Sequence, residues 1–251
     1  MEESILIFVV VGFIAQMIDG ALGMAYGVSS NTFLLSLGIP PAAASASVHM
    51  AEVVTTGISG TSHWRLGNVN WSLVKRLLIP GVIGGVTGAY LLTSLDGNLI
   101  KPYIAAYLLL MGVVIVVKAF NMQPHDNENE YHGPRISLLG LFGGFCDAIG
   151  GGGWGPVVTS TLVARGKHPR MTIGSVNFSE FFVTLFQSIV FVISLAFSQY
   201  WQIILGLLVG GSIAAPLAAR MTKKLPLKVL MILVGVLIIV LSIRTIYLAV
   251  I

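Results

Sequence analysis

Charge is what this chain has least of. Only 10% of its 251 residues are Asp, Glu, Lys or Arg, and 55% are hydrophobic. A soluble domain carries about 25% charged residues. The shortage excludes a water-soluble fold and assigns most of the chain to lipid. Cysteine is nearly absent as well. The single Cys146 excludes an intrachain disulfide framework and reads as a small packing residue. No polar stretch is long enough for a soluble domain, and without a nucleotide-binding domain the chain cannot use ATP directly. The longest polar stretch, 121–135 (NMQPHDNENEYHGPR), reads as an exposed linker. His63, His125, His132 and His168 lack the clustered spacing of a metal site, and nothing calls for a cofactor. The run GGGGWGP is no P-loop, because Lys-Ser/Thr does not follow it. The net charge of +4 does not argue for nucleic acid, since the basic residues lie in short loops where they set membrane orientation. The acidic start, Met1-Glu2-Glu3-Ser4, is unlike the basic start of a cleavable signal.

What is present is apolar and repeated. Apolar stretches cover 5–38, 42–62, 76–95, 101–120, 136–163, 172–197, 202–219 and 229–249. Each is long enough, or nearly so, to cross about 30 Å of hydrocarbon. Residues 12–56 align without a gap on 140–184, at an offset of 128, with 11 identities in 45 positions. The identities fall on residues that an apolar chain does not carry by default. Asp19 matches Asp147, Gly23 and Gly27 match Gly151 and Gly155, and Glu52 matches Glu180. Tyr26 faces Trp154. An acid in a glycine-rich turn followed by an acid inside an apolar stretch, once per half, is the mark of a duplicated transporter.

Topology follows from the basic residues. With one crossing per stretch, Arg65, Lys75, Arg76, Lys118 and Arg135 fall on one face and the other loop cations on the opposite face. That violates the positive-inside rule. If 5–38 and 136–163 each turn back as a broken helical hairpin, 12 of the 14 basic residues share a face, and only Lys101 and Arg244 lie opposite. The expected fold is therefore an all-α integral membrane protein of two inverted repeats. Repeat 1 is 1–120, 121–135 is a cytoplasmic linker, and repeat 2 is 136–251. Both termini lie outside, and the protein is multi-pass in the cell membrane. Each hairpin is either re-entrant or fully spanning.

The hairpin tips carry the first candidate site. They read Asp19-Gly-Ala-Leu-Gly-Met-Ala-Tyr-Gly27 and Asp147-Ala-Ile-Gly-Gly-Gly-Gly-Trp-Gly155. Irregular backbone at membrane depth occurs only inside protein or beside a water-filled cavity. The second arm of each hairpin starts at its tip, so its unpaired N–H groups and positive dipole end point inward. Two inverted hairpins then bring two such ends together into an anion site made from backbone. Its expected members are Asp19, Gly20, Gly23, Tyr26 and Gly27 with Asp147, Gly151, Gly152, Gly153, Trp154 and Gly155. The alternative is that the glycines only pack helices and the two aspartates are N-caps, and the roles are compatible.

Glu52 and Glu180 form the second candidate set, with His49 and Asn177 three residues before them. An intramembrane acid marks an ion or proton path by default. The i−3 spacing puts each partner on the face of its Glu, so a His49–Glu52 pair is expected to pass protons and the Asn177 half is not. These four are assigned to coupling or gating. Gly81, Gly84, Gly85 and Gly88, with Gly206 and Gly210, read as close helix contacts.

At these motifs the chain resembles the TauE/SafE sulfite-exporter family. The segments that carry the likeness are IDGALGMAYGVSS (18–30), PPAAASASVHMAE (40–52), GNVNW (67–71) and CDAIGGGGWGP (146–156). The resemblance implies a secondary transporter of sulfite, an organosulfonate or a related oxyanion, usually outward, with no enzymatic activity. The partners expected are a small anion, the lipid bilayer and a proton or sodium coupling ion, with homo-oligomerisation left open. Two other classes remain. A cation transporter would use the four carboxylates as ligands. An intramembrane enzyme would need His49 with Ser45 or Glu52, a pairing without a counterpart in the second half.

Overall fold

The computed structural model describes residues 5–22, 24–121, 134–164, 169–195, 200–221 and 227–250. Within them every regular element is helical. The first half contains α1 (Ile5–Leu22), α2 (Tyr26–Ser36), α3 (Pro41–Arg65), α4 (Trp71–Ser94) and α5 (Gly97–Phe120). The second contains α6 (Pro134–Gly150), a π-helical turn (Gly155–Thr159) running into α7 (Ser160–Ala164), then α8 (Pro169–Ser194), α9 (Trp201–Met221) and α10 (Leu227–Val250).

Several helices reach past the apolar stretches because local chemistry, not hydropathy, sets their ends. Pro41 opens α3 with φ already fixed for a helix. At the other end of α3, Gly67 takes a φ of +71°, which suits a residue without a side chain. The Asn70 side chain then caps α4 by accepting from Leu73 N at 3.0 Å, so α4 starts at Trp71 rather than after Arg76. Asn70 N in turn donates to Ser175 Oγ at 2.7 Å, tying this corner to α8.

Among the described residues four helices are long and apolar enough to cross a membrane: Trp71–Ser94, Gly97–Phe120, Met171–Ser194 and Met231–Leu248. Large apolar side chains such as Ile79, Ile83, Leu110, Leu233 and Val240 face outward. The buried interior holds Asn31, Ser45, His49, Glu52, Asp147, Thr184 and Gln187. Apolar outside and polar inside is the arrangement that lipid demands. The chain is an all-α membrane protein.

The halves interleave. α1 packs along α9 and α6 along α4, α3 runs against α8 and α5 against α10, and α4 meets α8 as α9 meets α3. Exchanging α1 with α6, α3 with α8, α4 with α9 and α5 with α10 maps this set of contacts onto itself. The close approaches use the expected glycines. A side chain on Gly84 would run into the Leu141 carbonyl on α6, and one on Gly210 into the Val9 carbonyl on α1. Neither half buries its faces alone.

The two hairpins break as expected, but differently. In the second, Gly151 and Gly152 take positive φ, 62° and 142°. In the first, Ala25 is left-handed, at φ 98°. A left-handed alanine costs about 1–2 kcal/mol, and such strain persists where the surroundings over-determine it. The second arms are short. α2 has 11 residues, about 16 Å at 1.5 Å per residue, roughly half the hydrocarbon thickness.

Candidate functional site

The two tips meet at their backbones. A Cβ on Gly27 would lie 2.5 Å from Gly152 Cα and 2.9 Å from a Glu52 carboxylate oxygen. Asn31 on α2 reinforces the contact, its Nδ2 donating to the Gly150 carbonyl. Between the tips lies a cavity of about 10 Å³ lined by Asp19, Tyr26, Gly27, Glu52, Asp147, Gly152, Gly153, Gly155 and Glu180, together with Met24, Ala25, Val28 and Pro156. That volume holds about one water molecule and not a sulfur oxyanion. The tips are closed on each other.

Each aspartate caps the arm that follows it. Asp19 Oδ1 accepts from Tyr26 N at 3.3 Å. Asp147 Oδ1 accepts from Gly153 N at 2.7 Å and Trp154 N at 2.9 Å. The N–H groups expected to face an anion are therefore partly taken by carboxylates. Capping satisfies donors that a helix start leaves orphaned. Tyr26 and Trp154 then anchor their tips to different helices. The Tyr26 hydroxyl donates to the Leu207 carbonyl on α9 at 3.1 Å, and Trp154 Nε1 to the Val176 carbonyl on α8 at 3.2 Å.

Asp147 is the hub. Besides the two N–H groups it receives Gln187 Nε2 at 3.1 Å and faces His49 Nε2 at 3.2 Å, both on Oδ2. His49 and Asp147 are fully buried. Gln187 Nε2 also donates to the Gly144 carbonyl, which fixes the orientation of its amide. His49 Nδ1 lies 2.7 Å from the Ser45 carbonyl and so carries a hydrogen. The Ser45 hydroxyl spends its own hydrogen on the Ala148 carbonyl. Asp147 accepts three N–H donors, and its contact with the His49 imidazole joins the two halves at a fully buried point.

This pairing corrects the expectation for His49. Its partner is Asp147 of the other half, not Glu52 on its own helix. Asn177 likewise turns from Glu180, its Nδ2 donating to Ser59 Oγ on α3 at 3.0 Å. Three-residue spacing on a helix allows contact, but a nearer partner on a neighbouring helix wins in each case. Glu52 is buried with Oε2 unpartnered among the described residues.

The predicted residues fall into three groups. Asp19, Tyr26, Gly27, Glu52, Asp147, Gly152, Gly153, Gly155 and Glu180 share the cavity. His49, Gly151 and Trp154 stand behind it. Gly151 sits against the Asn31 amide, where a side chain has no room, and Trp154 is fully buried. Asn177 points elsewhere, Gly20 lies in the last turn of α1, and Gly23 is outside the described residues. Sequence reasoning missed Asn31 and Lys118, which donates to the Pro156 carbonyl at 3.4 Å. A buried Asn within an apolar stretch was a usable signal. A lysine near a span end was not, because it reads as an orientation charge.

A lipid-facing helical bundle whose polar residues gather at two broken hairpins belongs to the class of multi-pass membrane transporters. Residues 8–245 match the model of the sulfite exporter TauE/SafE family, and the chain belongs to that family. It is 45% identical over 249 residues, 97% of this chain and 83% of the other, to a Bacillus subtilis (strain 168) protein named "Probable membrane transporter protein YtnM". No solved structure matches. The family and this relative are membrane transporters rather than enzymes.

Proposed function

We propose that the protein is a secondary transporter of a small sulfur oxyanion across the cell membrane, outward and with protons as coupling ion, using two inverted repeats that meet at the tips Asp19–Gly27 and Asp147–Gly155. The observation that carries the reading is the pair of capping carboxylates. Asp19 and Asp147 occupy the same N–H groups that an oxyanion would use. Anion and carboxylate therefore compete for one set of donors. A proton delivered to the carboxylates removes their claim and lets the anion take the N–H groups. Proton and anion are then bound together, which lightens the electrostatic cost of an anion among four acids. Because the tips are closed around about 10 Å³, the arms must part to admit a substrate. The interleaved packing of α1, α4, α6 and α9 favours movement of the short arms over rocking of whole halves. The length of α2 supports a re-entrant hairpin over a full crossing.

The test is flux in proteoliposomes with sulfite, thiosulfate, sulfate, sulfoacetate and taurine under an imposed pH gradient. One or more of these anions is expected to move with the proton gradient. Proton movement independent of every anion would overturn the reading. A second reading has its own support in the four carboxylates, which have the sign and number to hold a cation. Sodium- or proton-driven cation flux without any sulfur anion would establish it instead.

A further inference from the structure

Lys118 lies in the last turn of α5, two residues before the helix ends. A Cα–Cβ bond tilts towards the helix N-terminus, so a C-terminal lysine reaches deeper into the bundle than its own Cα. Lysines at span ends usually bend the other way, to water. This one does not. Its Nζ donates to the carbonyl of Pro156, which lines the four-acid cavity. Ser160 N reaches back to the Gly155 carbonyl, and the Pro156 oxygen accepts from Lys118 and from the Ser160 hydroxyl. Lys118 thus spends its charge on a neutral acceptor while half-buried. Among the described residues no carboxylate stands within 4 Å of Lys118.

A half-buried ammonium that meets no carboxylate among the described residues is, within them, an incomplete pair. The other described cations do not share its position. Lys228 is exposed and rests over the Phe120 ring at 4.6 Å. Arg244 is exposed and holds the Ser36 carbonyl at the end of α2 remote from the tip. Within the cavity every charged side chain is an acid, so the site itself does not attract an anion. Lys118 is the cation placed next to it.

We infer that Lys118 is an anion-docking residue on the route between the tip cavity and one membrane face. Its ammonium exchanges the Pro156 carbonyl for an oxygen of the transported oxyanion. The same exchange releases the start of the second arm, so docking loosens the tip that the substrate must pass. The inference rests on the oxyanion reading above.

Two measurements on the reconstituted full chain separate its failure from the failure of that reading. The first is acetylation of lysines by acetic anhydride, followed residue by residue by mass spectrometry, with sulfate or methanesulfonate present as inert anions. Lys118 is expected to be protected about threefold or more, as a charge-assisted contact implies, while Lys228 is unchanged. The second is sulfur-anion flux. Lys118→Gln is expected to raise KM about tenfold with kcat little altered, the size of one lost charged hydrogen bond. Lys118→Arg should restore most of it, and Lys228→Gln should leave it at wild type. If flux proceeds but Lys118 is unprotected and Lys118→Gln has a normal KM, the docking role is wrong and the transport reading stands. If Lys118 is protected yet no sulfur anion moves, the docking role stands and the substrate class is wrong. If neither effect occurs, both fall.

Discussion

The backbone N–H of Trp154 lies 2.9 Å from the carboxylate of Asp147, seven residues before it, and Tyr26 makes the same bond to Asp19 at 3.3 Å. The two halves diverged in sequence around these tips and kept the capping geometry. What differs is the company each acid keeps. Among the described residues Asp19 takes one N–H, whereas Asp147 takes two N–H groups, Gln187 and His49.

The difference predicts unequal losses of stability. Asp19→Ala removes a cap and is expected to cost about 1 kcal/mol. Asp147→Ala also strands a buried His49 and is expected to cost about 3 kcal/mol or more. Thermal unfolding of the two variants in the same detergent measures the gap. Equal losses would show that Asp147 is no hub.

Proton coupling predicts a pH signature: wild-type flux should fall as the medium becomes alkaline. The contact between His49 and Asp147 is faced by Gln187 and the Phe191 ring, with Glu52, Asp19 and Glu180 around the adjoining cavity. His49→Gln keeps a hydrogen-bonding side chain beside Asp147 and loses the imidazole, and the pH profile of its flux tests whether that ring takes part. Glu52→Gln and Glu180→Gln are expected to fold normally and lose turnover. Wild-type flux across pH in all three variants would make these groups structural and remove protons from the mechanism.

The sequence made the membrane class, the duplication and the broken tips legible, because each rests on a one-dimensional signal. Those signals are apolar length, a constant offset of 128, and glycine beside an acid. The four acids stood out in the sequence as two matched pairs assigned to separate roles, and the structure lines one cavity with all of them. The partners were not legible. Helical spacing suggested His49 with Glu52 and Asn177 with Glu180, while the actual bonds run to Asp147 and Ser59 on other helices. Spacing reports what shares a face, and only packing reports what opposes it. The same limit hid Lys118. Its contact is with the Pro156 carbonyl inside a π-turn, and nothing in GPVVT announces one.

The one-sided distribution of basic residues predicts that 121–135 is cytoplasmic and that the N-terminus is outside. In a Cys146→Ala background, single cysteines at Ser4 and Asn127 should react with a membrane-impermeant maleimide from opposite sides of intact cells. Labelling of both from one side would restore eight single crossings and parallel halves, and would remove the inverted arrangement from the proposal.

The contact between Gly27 and Gly152 predicts that bulk at the tips separates function from folding. A Cβ on Gly27 meets Gly152 Cα at 2.5 Å, on a buried tip whose backbone must shift to admit it. Gly27→Ala is expected to fold with a loss of about 2 kcal/mol, within the range of overpacking costs. It should nonetheless hold the tips apart and cut coupled flux at least tenfold, leaving protons free to leak. Gly84→Ala is the opposite case. Its new methyl would press on the Leu141 carbonyl, on a long helix packed along its length against α4. Nothing there can yield, so Gly84→Ala should cost about 3 kcal/mol, and whatever protein still folds should transport with normal coupling. Unfolding temperature and the ratio of proton to anion flux, measured on both variants, give a two-by-two comparison. If Gly27→Ala keeps tight coupling in a folded protein, the tips are not the gate, and the substrate site must be sought elsewhere in the bundle.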